Sequence, residues 1–239
     1  VIELLSVQIA PLQRFFCCFN ILSTMMILAF DAHNHIHMGP SDPVEAVAPV
    51  ISCSLSSSSK AGLSGVAVMS THPRDYPIVT SLTTLLPALY PDLHVVPCYG
   101  VHPWWLHKLE ENHWAPSRED VTVPSWIHQL ELMVKDNPRA VVGEIGLDGF
   151  HFDGMKGKLF SSMDSQVKAF EAQMEVAARL DRPVSIHAVQ CMGQLLASLA
   201  KLKKSHGLPP KVYFHAFSGK PATVDQLIAL CGTRPGQVY

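Results

Sequence analysis

Six side chains of this sequence have the types and spacing to act together: His33, His35, His102, Glu144, His187 and His215. The first two belong to Asp31-Ala-His-Asn-His-Ile-His37, which packs three imidazoles into five positions. In an extended strand alternate side chains share a face, so His33, His35 and His37 would point the same way, and two imidazoles at that spacing can chelate one metal ion. Apolar packing gives no reason to cluster titratable rings at the mouth of a buried strand, and the segment reads as half of a metal site. His33 and His35 end a first apolar run, His102 follows a third, Glu144 ends a fourth, His187 a fifth and His215 a sixth. Four imidazoles and one carboxylate brought together can hold two divalent ions, with Glu144 bridging through its two oxygens. A water between the ions would lose a proton near neutral pH and become the nucleophile, while the ions polarise a phosphoryl or carbonyl oxygen. Hydrolysis is the expected reaction.

Such a gathering needs elements that end at one rim. Short apolar runs at 26–30, 65–69, 93–98, 140–144, 183–187 and 211–215 read as strands, and 237–239 as a strand cut short. Helical stretches separate them. Asp42 caps one over 42–55 with Pro43 at its first position; others cover 74–89, interrupted near Pro77 and Pro87, then 126–136, 163–180, 192–203 and 223–230. Strands separated by helices imply parallel pairing, and runs without alternation imply burial on both faces. A doubly wound sheet would announce a Gly-rich phosphate turn after its first strand, and none is present. The eight-stranded barrel places functional residues at the C-terminal ends of successive strands, which is the distribution here. The fold class is therefore α/β, a TIM-type (β/α) barrel truncated after about six strands.

At 239 residues, with 48% hydrophobic and 16% charged residues, the chain can bury a sizeable core as one α/β domain. A formal charge of -2 supplies no overall basic field, so any nucleic-acid contact rests on a local patch. Six cysteines, none in a C-x-x-C pair, suggest neither a zinc ribbon nor a disulfide framework but reduced thiols of a cytoplasmic or nuclear protein. Residues 1–25 are apolar yet interrupted by Pro11, Gln13, Arg14 and Asn20; they offer neither a membrane span nor a targeting signal. Residues 1–25 are read as an extension outside the domain, with the natural start at Met25 or Met26, and 26–239 as the domain.

Asp31-x-His33-x-His35, Gly100-Val-His-Pro103, Gly143-Glu-Ile-Gly-Leu-Asp148, Gln166-x-x-x-Phe170-x-x-Gln173, Pro183-Val-x-Ile-His187 and Phe214-His-Ala-Phe-Ser-Gly219 occur in that order. Together they resemble the TatD family of metal-dependent hydrolases. The resemblance implies a barrel of the amidohydrolase superfamily binding two divalent ions (Mg, Mn or Zn), several members being deoxyribonucleases. It looks closest to a fungal branch described as interacting with a subunit of the anaphase-promoting complex. Position by position it makes His33 and His35 the first-metal ligands, Glu144 the bridging ligand, and His187 and His215 the second-metal ligands. His102 matches a catalytic pocket position near substrate, and Asp148 a substrate-side carboxylate of the strand-four loop. His37 has no counterpart and suits a surface or supporting role.

Two departures from the family pattern matter. Where members often carry an Arg two residues after the strand-five His, suited to pairing with phosphate, this chain has Val189. Lys156, Lys158 and Arg74 are the alternatives, though they read as solvated surface charges. The chain also stops at Tyr239, before the Asp-bearing strand eight, so it is expected to be an impaired fragment of a longer active enzyme. Trp104 and Trp105 can stack bases or pack over a helix. Lys201, Lys203 and Lys204 complement a helix C-terminus, and Cys191 reads as a packing residue. Two function classes stay open. One is a metal-dependent hydrolase of phosphate esters in DNA or nucleotides; the other is a non-catalytic scaffold serving a cell-cycle complex. Neither calls for a membrane.

Overall fold

The structure is a computed structural model, which describes residues 8–9, 12–13, 16–18, 27–38, 61–111, 125–150, 152–153 and 158–232. These fall into two compact units, Val1–Met69 with Asp75–Pro97, and Ser70–Arg74 with Cys98–Tyr239. The helix expected over 42–55 and the strand over 237–239 lie outside the described residues.

The first unit is built on two parallel strands, β1 (Ile27–Asn34) and β2 (Ala61–Met69), paired from Ile27 opposite Ala61 to Asn34 opposite Val68 with register shifts after Ala29 and after Asp31. Val66, Ala67, Val68 and Met69 are all buried, which is what a run without alternation demands. Helix α1 (Tyr76–Leu89) follows, with Tyr76, Val79, Leu82 and Leu86 buried at helical spacing. Strand β3 (His94–Tyr99) then begins beside β2. Upstream, Phe16–Cys18 lies antiparallel to Ala29–Asp31. The expected interruption of α1 does not occur. Pro77 sits in the first turn, where its missing N–H has no intrahelical acceptor, and Pro87 sits two residues from the end, where little helix remains to break.

In the second unit the end of β3 pairs in parallel with β4 (Val141–Asp148), Cys98 opposite Val141 and Tyr99 opposite Val142. β4 pairs in parallel with β5 (Val184–Val189), and β5 with β6 (Val212–His215). Parallel neighbours require a long return, which helices supply. α2 (Leu106–Glu111) and α3 (Ser125–Asp136) precede β4, α4 (Met163–Arg179) precedes β5, α5 (Met192–Ser205) precedes β6, and α6 (Pro221–Cys231) follows it. Six parallel strands alternating with helices among the described residues give the α/β succession of a TIM-type barrel. No helix among them is long and apolar enough to cross a membrane.

Helix α4 starts where Ser162 accepts the Ser165 N–H, and buries Phe170, Met174, Val176 and Ala177. Its last residue, Arg179, grips Glu131 of α3 with two nitrogens, at 2.6 and 3.2 Å, and Lys135 reaches the same carboxylate at 2.6 Å. Hydrogen bonds from Arg179 and then Lys135 hold the Glu131 carboxyl down at about 2. Because that value is depressed from 4.5, the stabilisation is present above the usual carboxylate range and is lost as pH falls through about 2. Glu131→Gln should therefore flatten the fall in urea midpoint between pH 5 and pH 2; an unaltered pH dependence would refute the coupling. The lysines on α5 also have protein partners. Lys201 meets Glu171 at 2.5 Å, and Lys203 donates to the Ala229 and Leu230 carbonyls at the end of α6, at 3.2 and 2.8 Å.

Candidate metal centre

Within the second unit, β4, β5 and the loop after β3 bring His102, Glu144 and His187 together, with one donor atom from each lying within 4.8 Å of the others. His187 is the hub. Its Nδ1 is 3.1 Å from Glu144 Oε1, and its Nε2 is 2.9 Å from Asp148 Oδ2. Burial opposes a charge on this ring, but the hydrogen bonds it donates to Asp148 and Glu144 outweigh that and raise the imidazole to about 9. In the metal-free chain at neutral pH it is therefore an imidazolium between two carboxylates, in the electrostatic place of a cation.

Asp148 is fully engaged. Its Oδ2 accepts the Trp104 indole N–H at 2.6 Å as well as the His187 ring, and its Oδ1 accepts the Phe150 backbone N–H at 2.7 Å. Burial raises its pKa, yet these donors overcome that effect and keep it well below the usual carboxylate range. The residue closes β4, so it stands on the strand and not on the loop expected from sequence. Glu144 correspondingly lies in mid-strand and His187 two residues before the end of β5. Both strands run past the ends expected from sequence, at 144 and 187. Gly146 is required inside β4: its φ is +150°, and a Cβ there would come 1.9 Å from the His187 carbonyl oxygen on β5.

His102 differs in kind from the other two. Its Nδ1 accepts the Trp104 backbone N–H at 3.2 Å, so the neutral ring carries its proton on Nε2, which faces Glu144 Oε1 at 3.5 Å. A ring held in that tautomer is a donor toward the pocket rather than a ligand. His215 is the register partner of His187 across β5 and β6 but is not among the donors within 4.8 Å of one another. The set of a buried carboxylate and an imidazole with a second imidazole beside them fits a divalent ion.

In the first unit His33 and His35 place their Nε2 atoms 3.0 Å apart. The His35 Nδ1–H donates to the Met69 carbonyl at 2.9 Å, which fixes the tautomer and leaves Nε2 as the bare nitrogen. Asp31 turns the strand end, accepting the His33 backbone N–H at 3.3 Å and the Asn34 side-chain amide at 2.6 Å. His37 turns instead toward Asp75, at 3.4 Å.

Three residues have positioning roles that the sequence reading did not assign. Trp104 is one. The others are Gln166 and Gln173, two turns apart on the buried face of α4. The Gln166 amide accepts the Asp148 N–H at 2.8 Å and donates to the Asp148 carbonyl at 3.1 Å. Gln173 does the same to Val101, at 2.7 and 3.2 Å, next to His102. The signal that finds them is two amides in an otherwise apolar stripe, since a buried amide must have partners. Cys191 is a buried thiol donating to the Leu147 carbonyl at 3.2 Å, pushed up to about 12 by burial, and so stays protonated. Of the alternative cations, the Arg74 backbone N–H donates to His72 Nδ1 at 3.1 Å, Lys158 lies in a two-residue strand, and Lys156 is outside the described residues.

Comparison with known proteins places the chain in a family. The model of the TatD related DNase family matches residues 30–235. Cut9-interacting protein scn1 of Schizosaccharomyces pombe is 26% identical over 227 residues, covering 68% of this chain and 66% of its own length. The 3'-5' ssDNA/RNA exonuclease TatD of Edwardsiella piscicida is 29% identical, covering 72% of this chain and 55% of that protein. Among solved structures, YjjV, a TatD homologue from Escherichia coli K12, superposes with a TM-score of 0.60 at 25% identity, covering 84% of this chain and 64% of the other. The chain thus spans between about half and two thirds of the length of the relatives it matches. With the family model covering residues 30–235, the chain belongs to the TatD related DNase family.

Proposed function

We propose that the protein is a metal-dependent hydrolase acting on phosphodiester bonds of single-stranded DNA or related nucleotides. The observation that carries this reading is the His187 imidazole held between Glu144 and Asp148 with His102 alongside. Support comes from the family and from the relative named as an exonuclease of single-stranded DNA and RNA. In this reading His33 and His35 would ligate one divalent ion, and Glu144, His187 and His215 would ligate another within the second unit. Ions held there would lower the pKa of a water and polarise a phosphoryl oxygen. The chain's own residues do the rest. Glu144 supplies the anionic oxygens that concentrate cations, and Asp148 fixes the His187 ring through Nε2 so that Nδ1 faces Glu144. His102 would offer its Nε2–H as a hydrogen bond to an oxygen of the substrate phosphate.

The test is cleavage of an end-labelled single-stranded oligonucleotide by the chain with Mg²⁺ or Mn²⁺, repeated after chelation. Metal-dependent, chelator-sensitive product is expected; no product with any divalent ion would overturn the reading. The name of the Schizosaccharomyces pombe relative states an interaction with Cut9. A chain that is inert with every metal yet co-purifies with a cell-cycle assembly would favour the scaffold reading instead.

A further inference from the structure

We propose that Trp104 is a positioning residue of the metal centre, its indole N–H locking the Asp148 carboxylate that in turn orients His187; this rests on the metal reading above. The geometry leaves each partner little freedom. Asp148 Oδ2 accepts from Trp104 Nε1 at 2.6 Å and from His187 Nε2 at 2.9 Å, while Phe150 N–H ties down the other oxygen at 2.7 Å. A carboxylate fixed through both oxygens cannot rotate to join Glu144 on a cation. It can only hold the far nitrogen of His187 and so present Nδ1 toward Glu144, the outer-shell arrangement that sets ring orientation in metal-ligating histidines.

Trp104 is joined to the same group on two other sides. Its backbone N–H fixes the His102 tautomer at 3.2 Å. Its ring meets those of His102 and His187 edge to face, with centroids 5.1 and 6.1 Å apart. One residue therefore sets the hydrogen-bonding state of His102 through its backbone and the orientation of His187 through its side chain. A residue serving only to cover the pocket has no need of a donor at that edge, and Phe would do as well. Its neighbour shows the contrast: Trp105 carries the Lys108 ammonium over its ring at 4.1 Å.

The experiment uses Mn²⁺ and Zn²⁺ as probes on the whole chain. Trp104→Phe, which keeps the ring and removes the donor, should weaken Mn²⁺ binding about ten- to a hundredfold by isothermal titration calorimetry. Trp105→Phe should leave binding unchanged. In the nuclear magnetic resonance spectrum of the metal-free wild-type chain, the Trp104 indole N–H signal should move on Asp148→Asn. In the wild-type chain alone its exchange with solvent should slow when Zn²⁺ binds, a readout that depends on no variant folding. Equal Mn²⁺ affinity of Trp104→Phe and wild type, or an indole signal indifferent to both Asp148→Asn and Zn²⁺, would overturn the proposal. A wild-type chain that binds neither ion would overturn the metal reading first, a result recognisable before any variant is made.

Discussion

Glu144→Gln is expected to abolish tight divalent binding and to lower metal-dependent hydrolysis at least about a thousandfold, equivalent to about 4 kcal/mol of barrier. The substitution preserves volume at a buried position on β4, so its effect reads as chemistry rather than as a cavity. It removes the anionic charge that faces both His187 Nδ1 at 3.1 Å and His102 Nε2 at 3.5 Å. The His187 imidazolium then keeps only Asp148 as a counter-charge, and its affinity for a proton falls. Calorimetric titration with Mn²⁺, the rate on single-stranded DNA and the melting temperature of the metal-free protein separate these effects. Retained metal affinity and rate with an unaltered melting curve would remove Glu144 from the centre of the proposed site.

Gly146→Ala is expected to destabilise the fold by about 3 kcal/mol or more, since it combines a strained backbone with a steric overlap that a side-chain rotation cannot relieve. The atom in the way is a main-chain oxygen, that of His187, 1.9 Å from the added carbon, so the β4–β5 pair must part where it carries the metal-site residues. Gly193→Ala provides the contrast. Nothing lies within 4 Å of a Cβ there, in the first turn of α5, and the change should be neutral or stabilise by about 0.5 kcal/mol. Urea unfolding of both variants checks the pair of expectations; a Gly146→Ala protein as stable as wild type would contradict the geometry of β4.

These two residues also mark the limit of what could be read without coordinates. The alternation of apolar runs with helices, and the polar residues at the ends of those runs, were legible because periodicity and burial are local properties of a sequence. The His-x-His pair and the Glu of Gly143-Glu-Ile-Gly-Leu-Asp148 stood out because nothing in a hydrophobic core calls for them. What was not legible were partnerships across long sequence separations. Trp104 to Asp148 spans 44 positions and Gln173 to Val101 spans 72, and neither leaves a trace in any window of a helix or strand. β4 likewise extends past its expected end at 144, and Gly146 in that extension is the condition for close approach of two strands. The resemblance sets His102 apart from the ligands; the structure places it beside Glu144 and His187, with its tautomer set by the Trp104 backbone N–H.

The paired amides on α4 have one more implication. Gln166 and Gln173 sit seven residues apart on one rigid rod, about 10.5 Å along its axis, and each is bolted to main chain beside a different edge of the pocket. The helix therefore serves as a gauge. The spacing between the Asp148 and Val101 attachment points is set by helical pitch, and flexing of the end of β4 or of the loop after β3 is checked against it. One residue added between the two glutamines would swing the second amide about 100° around the axis, detaching one edge while the other stays anchored.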